Sequence, residues 1–261
     1  MIRIKNLVKR FGDRTVLDGI SLVIPEGKIT VIMGGSGCGK STLLKNLIGL
    51  LRPEEGEILF EGKNVTEFSD QEFDAVRKKF GMLFQGSALF NSMTVGENVA
   101  LPLREHTDLS DEITRIIVKI KLELVGLTGF EDFYPYQISG GMKKRVALAR
   151  AIALDPKIVF YDEPGAGLDP ITAGMIDQLI LDLSRKLQIT SVVVTHEMKS
   201  AFRIADQMVV LHRGKVAVEG DPETVRQSTN SYVRQFIHGE PEGAIPFKQS
   251  SEAYLKGLLE P

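Results

Sequence analysis

The spacing of apolar residues changes along this chain, and each change predicts a different element. Near the start, apolar and polar positions alternate in Ile2-Arg3-Ile4 and again in Ile20-Ser21-Leu22-Val23-Ile24, the pattern of strands with one buried face. Pro25-Glu26-Gly27-Lys28 reads as a turn. Ile29-Thr30-Val31-Ile32-Met33 is an apolar, strand-like run, and a helical run follows from Thr42 to Leu50. Met82-Leu83-Phe84 forms a further short strand. From residue 86 the spacing turns helical. Ser110 is a candidate N-cap, Ile113, Ile116, Ile117, Ile120 and Leu124 follow at helix spacing, and Gly126 ends the run. Strands resume at Ile158-Val159-Phe160-Tyr161 and at Ser191-Val192-Val193-Val194-Thr195. Between them Pro170 suits a first helical position, and Ile176, Leu179, Ile180, Leu183 and Leu187 make a stripe that reads as core. From about Asp221 a tail combines a helical part, Pro222 to Ile237, with a Gly- and Pro-interrupted end, Gly239 to Phe247. The whole predicts an α/β fold.

Composition narrows the setting. A chain of 261 residues can bury a full core. With 32 basic and 34 acidic residues, and no strongly basic stripe, nucleic acid is not a favoured partner. The apolar runs fall short of the ~18 residues a membrane span needs, and Met1-Ile2-Arg3-Ile4-Lys5 has no secretory h-region. A single cysteine, Cys38, excludes an internal disulfide and fits a reducing compartment.

The chemistry sits where strands end. Gly34-Gly35-Ser36-Gly37-Cys38-Gly39-Lys40-Ser41 matches G-x-x-x-x-G-K-[ST] between a strand and a helix that begins with Thr42. Glycines let backbone N–H groups point inward at phosphate oxygens, and the following helix adds the positive end of its dipole. Lys40 can reach the β- and γ-phosphates, and the Ser41 hydroxyl can ligate Mg²⁺. Cys38, inside this loop, is read as steric. Asp162 closes an apolar strand and can hold the Mg²⁺ shell; Glu163, next to it, is placed to polarise an attacking water. Ile138-Ser139-Gly140-Gly141-Met142 precedes a helical run, with Ser139 as its N-cap and two glycines that allow close approach to an anion.

This last segment resembles the LSGGQ signature of the ABC ATPases, with Met142 where glutamine is usual. The resemblance implies a P-loop ABC ATPase core with an antiparallel β subdomain and a helical subdomain. Residues 1–220 would form the ATPase domain, with the helical subdomain inserted at about 86–157, and 221–261 a C-terminal extension reaching a partner ATPase. Asp162-Glu163-Pro164 resembles the Walker B end. Ala166-Gly167-Leu168-Asp169 resembles the D-loop. Gln85 resembles the Q-loop glutamine that senses metal and γ-phosphate, and His196 the switch histidine that contacts the γ-phosphate. Phe11 matches the aromatic that stacks on adenine. The resemblance thus implies ATP and Mg²⁺ as cofactors; Glu163, His196, Gln85 and Lys40 as catalytic groups; and Ser41, Gln85 and Asp162 around the metal. His106, His212 and His238 lack such context and are read as surface or packing residues.

In that family, phosphate loop and signature lie on different lobes, so two chains pair head-to-tail around ATP. The stretch from Gln85 to Ser139 is too short for the coiled coil of repair and chromosome-structure ABC proteins, and one cassette per chain argues against the translation-associated ones. The segment Leu83 to Thr107, the run Leu168-Asp169-Pro170-Ile171-Thr172-Ala173, and the tail's Val233-Arg234-Gln235-Phe236 and Pro246-Phe247 are similar to the ATPase of Mla-type, MCE-associated phospholipid transporters. That resemblance implies membrane permease subunits, an MCE lipid-binding protein, a small STAS-like subunit, and a peripheral position on the cytoplasmic face of an inner membrane. The alternatives are the ATPase of a polar-solute importer, such as an amino-acid system, or a non-transport P-loop regulator.

Overall fold

A computed structural model describes residues 1–241, 243 and 244. Four strands lie in an antiparallel sheet of order β2-β1-β4-β5: β1 (Ile2–Phe11), β2 (Arg14–Ile24), β4 (Glu55–Phe60) and β5 (Lys63–Asn64). A second sheet of six has the order β10-β9-β3-β8-β7-β6. It contains β3 (Ile29–Gly34), β6 (Phe80–Leu83), β7 (Ile158–Asp162), β8 (Thr190–Val194), β9 (Gln207–His212) and β10 (Lys215–Gly220). Only the β9–β10 pair in it is antiparallel. Around the sheets run α1 (Lys40–Leu47), α2 (Asp70–Arg77), α3 (Val95–His106), α4 (Asp111–Leu124), α5 (Gly140–Ala151), α6 (Pro170–Leu187), α7 (Met198–Ile204), α8 (Pro222–Arg226) and α9 (Ser231–His238).

Strand β7 shows why the parallel strands are apolar throughout. Ile158 and Phe160 face the core shared with the four-stranded sheet and α1, while Val159 and Tyr161 face the opposite core, shared with the helices that follow β6. Successive side chains on a strand point to opposite faces, so a strand covered on both sides needs an apolar residue at every position. All six residues of β3 and all five of β8 are buried for the same reason. The lobe carrying the first sheet is braced to the second at Glu61, which accepts from Lys79 at 2.6 Å and from Lys157. These two ammonium groups hold the Glu61 carboxyl down at about 2.

Several element boundaries differ from the sequence expectation. Helix α1 starts at Lys40 and ends at Leu47, short of Leu50, because Gly49 turns left-handed (φ 71°) against the Phe73 ring, which an added Cβ would meet at 2.4 Å. Phe84 lies just beyond β6. The tail's single helical run is two helices: Asp221 caps α8, and the Asn230 side chain accepts from the N–H groups of Tyr232 and Val233 to start α9 anew. Pro246-Phe247, and the extension from residue 245 onward, lie outside the described residues.

Helix α4 has the expected Ser110 cap, but Ile113, Ile116 and Ile120 point outward and are about half exposed. Its inward side is instead Thr114, Val118, Lys121 and Leu122, and the buried Lys121 ammonium is neutralised by Asp155 at 2.5 Å. Among the described residues no helix is long and apolar enough to cross a membrane.

Candidate active site

Four neighbouring strands, β3, β8, β7 and β6, run parallel, so their C-terminal ends share one edge. The phosphate-loop segment leaves β3, Thr195-His196 leave β8, Glu163 follows β7, and Gln85 follows β6. Lys144, on α5, reaches the same edge. The far ends of parallel strands are where open α/β sheets place their ligands.

The loop between β3 and α1 is shaped by its glycines. Gly34 has φ 148°, and a Cβ there would sit 2.3 Å from the Leu211 carbonyl oxygen; at Gly39 (φ 110°) a Cβ would meet the Leu17 side chain at 2.7 Å. No L-residue with a side chain fits either position. Helix α1 opens without a side-chain cap and without an acid in its first turn, so its leading N–H groups keep their capacity for an anion. Lys40 Nζ donates to the carbonyls of Gly34 at 2.7 Å and Gly35 at 3.1 Å. An ammonium has three donors, so one remains. Ser36, Gly37 and Ser41 are exposed on the open side of the loop, Thr42 is half-buried, and Cys38 is buried beneath it. Burial pushes the Cys38 thiol up despite the nearby Lys40 charge, which leaves it a poor nucleophile.

Across the edge, Asp162 is half-buried. Burial raises its pKa first, and the neighbouring Glu163 charge adds to this, while Lys45, Lys144 and Lys40 oppose. Glu163 adopts a left-handed φ of 49° that few non-glycine residues take. Its carboxylate lies 2.9 Å from His196 Nδ1 through Oε1, and Oε2 accepts from Thr195 Oγ1 at 3.3 Å. The structure therefore pairs Glu163 with His196. Gln85 is exposed beside them, and its backbone carbonyl accepts from Lys144. Asp169 is exposed and caps α6, accepting from the N–H groups of Ile171 and Thr172, each at 3.0 Å. Phe11 stands 49% exposed at the end of β1, with Lys9 Nζ over its ring 5.3 Å from the centroid.

Ser139 caps α5 by accepting from the Met142 N–H at 3.3 Å. Gly140 is exposed, and its nearest neighbour for an added Cβ is Leu168 at an ordinary 3.7 Å; Gly141 is buried against Thr172. In this chain, Gly140 faces outward.

Two basic residues escaped sequence reasoning. Lys144, within the run Lys143-Lys144-Arg145, is buried and reaches the Gln85 carbonyl as well as the Glu163 carbonyl at 3.4 Å. Arg150 donates to the carbonyls of Ser87 at 2.8 Å and Ala88 at 2.7 Å, two residues with positive φ. Together they fasten α5 to the loop after β6. The available signal was spacing: Gly141, Lys144 and Leu148 share the buried stripe of α5, and a lysine on such a stripe requires a partner.

The ABC transporter family matches residues 17–166. The intermembrane phospholipid transport system ATP-binding protein MlaF of Haemophilus influenzae is 47% identical over 260 residues, covering all of this chain and 98% of that protein. The protein of the same name from Escherichia coli K12 is 45% identical over 95% of this chain and 92% of its own. The probable ribonucleotide transport ATP-binding protein mkl of Mycobacterium tuberculosis H37Rv is 43% identical over 96% of this chain and 70% of its own. Among solved structures, the ATP-binding cassette MJ0796, dimeric and in a post-hydrolysis state with ADP and Pi, superposes with a TM-score of 0.78 at 35% identity, covering 85% of this chain and 99% of that one. The cbiO1 protein of Clostridium perfringens, part of the ABC transporter complex cbiONQ, gives 0.81 at 31% identity over 88% and 91%.

Proposed function

From the premise that this chain belongs to the ABC transporter family as an ATP-hydrolysing cassette, we propose that it powers the movement of phospholipid between two membranes. The observation that carries this reading is the match, along the whole chain, to a relative named for intermembrane phospholipid transport.

In this reading the loop from Gly34 to Ser41 and the first N–H groups of α1 cradle the phosphates of ATP, with Thr42 at their end. Lys40 directs its remaining donor at the β- and γ-phosphates, and Phe11 stacks on the adenine. Mg²⁺ neutralises phosphate charge when bound. Ser41, Asp162 and Gln85 would hold it. Among the described residues no cluster of three or more His, Cys, Asp or Glu gathers as a metal cage, which fits a cation completed by substrate oxygens and water. Glu163 orients the attacking water and accepts its proton, and His196 fixes the Glu163 carboxylate and meets the γ-phosphate. Ser139, Gly140, Gly141 and Asp169 act on ATP held by a second copy paired head-to-tail.

Force would leave through the loop after Gln85. Beside it lies a groove of about 700 Å³ whose apolar lining includes Phe84, Phe90, Leu101 and Pro102; Phe84 and Phe90 are 39% and 51% exposed. A helix of a membrane permease that buries such side chains gains roughly 1.5–3 kcal/mol for each. The permease places the chain on the cytoplasmic face of an inner membrane, with an MCE lipid-binding protein and a STAS-like subunit completing the system.

The test is to purify the chain with its membrane partners and identify bound molecules by mass spectrometry. Phospholipid in the complex supports the reading. A polar solute or ribonucleotide in its place would sink the lipid assignment and leave the ATPase standing. In the same complex, Phe90→Ala is expected to weaken permease retention about tenfold with melting unchanged within a few degrees. Wild-type retention would remove the groove from the coupling path.

A further inference from the structure

The phosphate loop is held at its first peptide by a residue of the C-terminal tail. The peptide unit between Gly34 and Gly35 has two polar ends. Its carbonyl, on Gly34, accepts from Lys40 Nζ at 2.7 Å. Its N–H, on Gly35, donates to the Tyr232 hydroxyl at 3.0 Å. That hydroxyl in turn donates to the Leu211 carbonyl at 3.3 Å, and the same carbonyl closes off the space where a Gly34 side chain would sit. A continuous line of hydrogen bonds thus runs from Lys40 through one rigid peptide plane to Tyr232 and on to the end of β9.

Tyr232 is itself firmly placed. It is 4% exposed, its ring lies 3.7 Å from the His212 ring and stacks on Phe236 at 5.9 Å, and its neighbour Val233 is fully buried. The Asn230 cap fixes the first turn of α9 around it.

We propose that Tyr232 is a positioning residue of the nucleotide site, through which the C-terminal helix α9 sets the aim of Lys40. The geometry works because a peptide plane is stiff: its N–H and C=O point in opposite directions and turn together. If the N–H is fixed, the carbonyl that receives Lys40 is fixed too. Two of the three lysine donors are then held on loop carbonyls, and the direction of the third follows. The inference rests on the reading of Lys40 as the phosphate-binding lysine. It adds that the C-terminal helix has a share in nucleotide affinity, although it touches no nucleotide itself, so a partner chain that shifts α9 alters ATP affinity.

The experiment is a double-mutant cycle on the full chain, read as ATP affinity by equilibrium titration with a fluorescent ATP analogue. Tyr232→Phe keeps the ring contacts and removes only the hydroxyl. It is expected to raise the Kd about three- to tenfold, the worth of one buried hydrogen bond. In a Lys40→Ala background the same substitution should change the Kd less than twofold, since the group being aimed is gone. Equal weakening in both backgrounds, or no weakening in either, overturns the proposal. A failure of Lys40→Ala alone to weaken binding would instead strike at the role of Lys40. Phe236→Leu serves as the control for helix packing: it should lower the melting temperature and leave the Kd of the folded protein unchanged. If Phe236→Leu raises the Kd as much as Tyr232→Phe, general loosening of α9 is the cause and the hydroxyl has no special part.

Discussion

Two glycine-rich segments, one leaving β3 and one opening α5, hold their glycines in different surroundings. At Gly34 and Gly39 the reason for glycine lies within the chain: left-handed backbone, with the Leu211 carbonyl and the Leu17 side chain occupying the space of any Cβ. At Gly140 the chain supplies no such reason, because an added Cβ would make only ordinary contact with Leu168. No contact within the chain requires glycine there. The phosphate loop is shaped by its own chain, while under the proposed head-to-tail pairing the surface at Gly140 is completed by a second copy.

The strongest way to break that contrast is complementation. Gly140→Asp places an acid at the first position of α5, which has none in its first turn, so the isolated chain should be as stable as before or gain a few tenths of a kcal/mol. ATP binding per protomer should stay within about twofold, while turnover falls by more than about a hundredfold, the scale for losing preorganised contacts to reacting phosphate. Lys40→Ala should also be inactive. Mixed together, the two inactive proteins should recover about a quarter of wild-type turnover, since half of the head-to-tail dimers carry one intact composite site. Absence of any recovery would mean that phosphate loop and signature do not meet across chains. Gly141 is a poorer choice for this test because Thr172 of the same chain crowds it at 2.5 Å.

The second effect belongs to the phosphate loop. Gly34→Ala should cost more than about 3 kcal/mol in denaturant unfolding, combining backbone strain with a collision against fixed backbone. A loss below about 1 kcal/mol would show that the loop adapts, and the contrast with Gly140 would collapse.

The smallest effect concerns how the phosphate-loop lobe is braced. Glu61 sits between Lys157 and Lys79 with its pKa depressed from an ordinary 4.5 to about 2. A depressed carboxyl stabilises the fold above its unfolded pKa, and that contribution fades as pH falls from about 4.5 toward 2. Solvent screens a side chain this open, so Glu61→Gln should cost only about 0.5–1 kcal/mol at pH 7. The gap between wild type and variant, followed by urea unfolding, should begin to close below pH 4.5. A gap that widened on acidification would contradict the assignment.

How far the sequence alone could be read follows the range of each interaction. The phosphate loop, the Ser139 and Ser110 caps and the acid pair at the end of β7 are local arrangements, and their spacing announces them. Helix α4 marks one limit: its isoleucine periodicity locates the helix but does not say which side packs inward, and the buried side carries Lys121 because Asp155, far along the chain, neutralises it. Tyr232 marks another. It stands 197 positions from Gly35, and nothing in Ser231-Tyr232-Val233 distinguishes it from an ordinary core tyrosine. Lys144 is intermediate, hidden in a basic run that looks solvated until its helical stripe is counted.

The order of strands in the larger sheet also sets a schedule for synthesis. Strand β3, which launches the phosphate loop, pairs with β8 on one side and β9 on the other. Both neighbours, and the Tyr232 that anchors the loop, are made long after the loop itself. A growing chain therefore carries Gly34 to Ser41 for most of its translation with no sheet to hold them. Helix α9, through Tyr232, can reach the loop only after both sheet neighbours of β3 have been made.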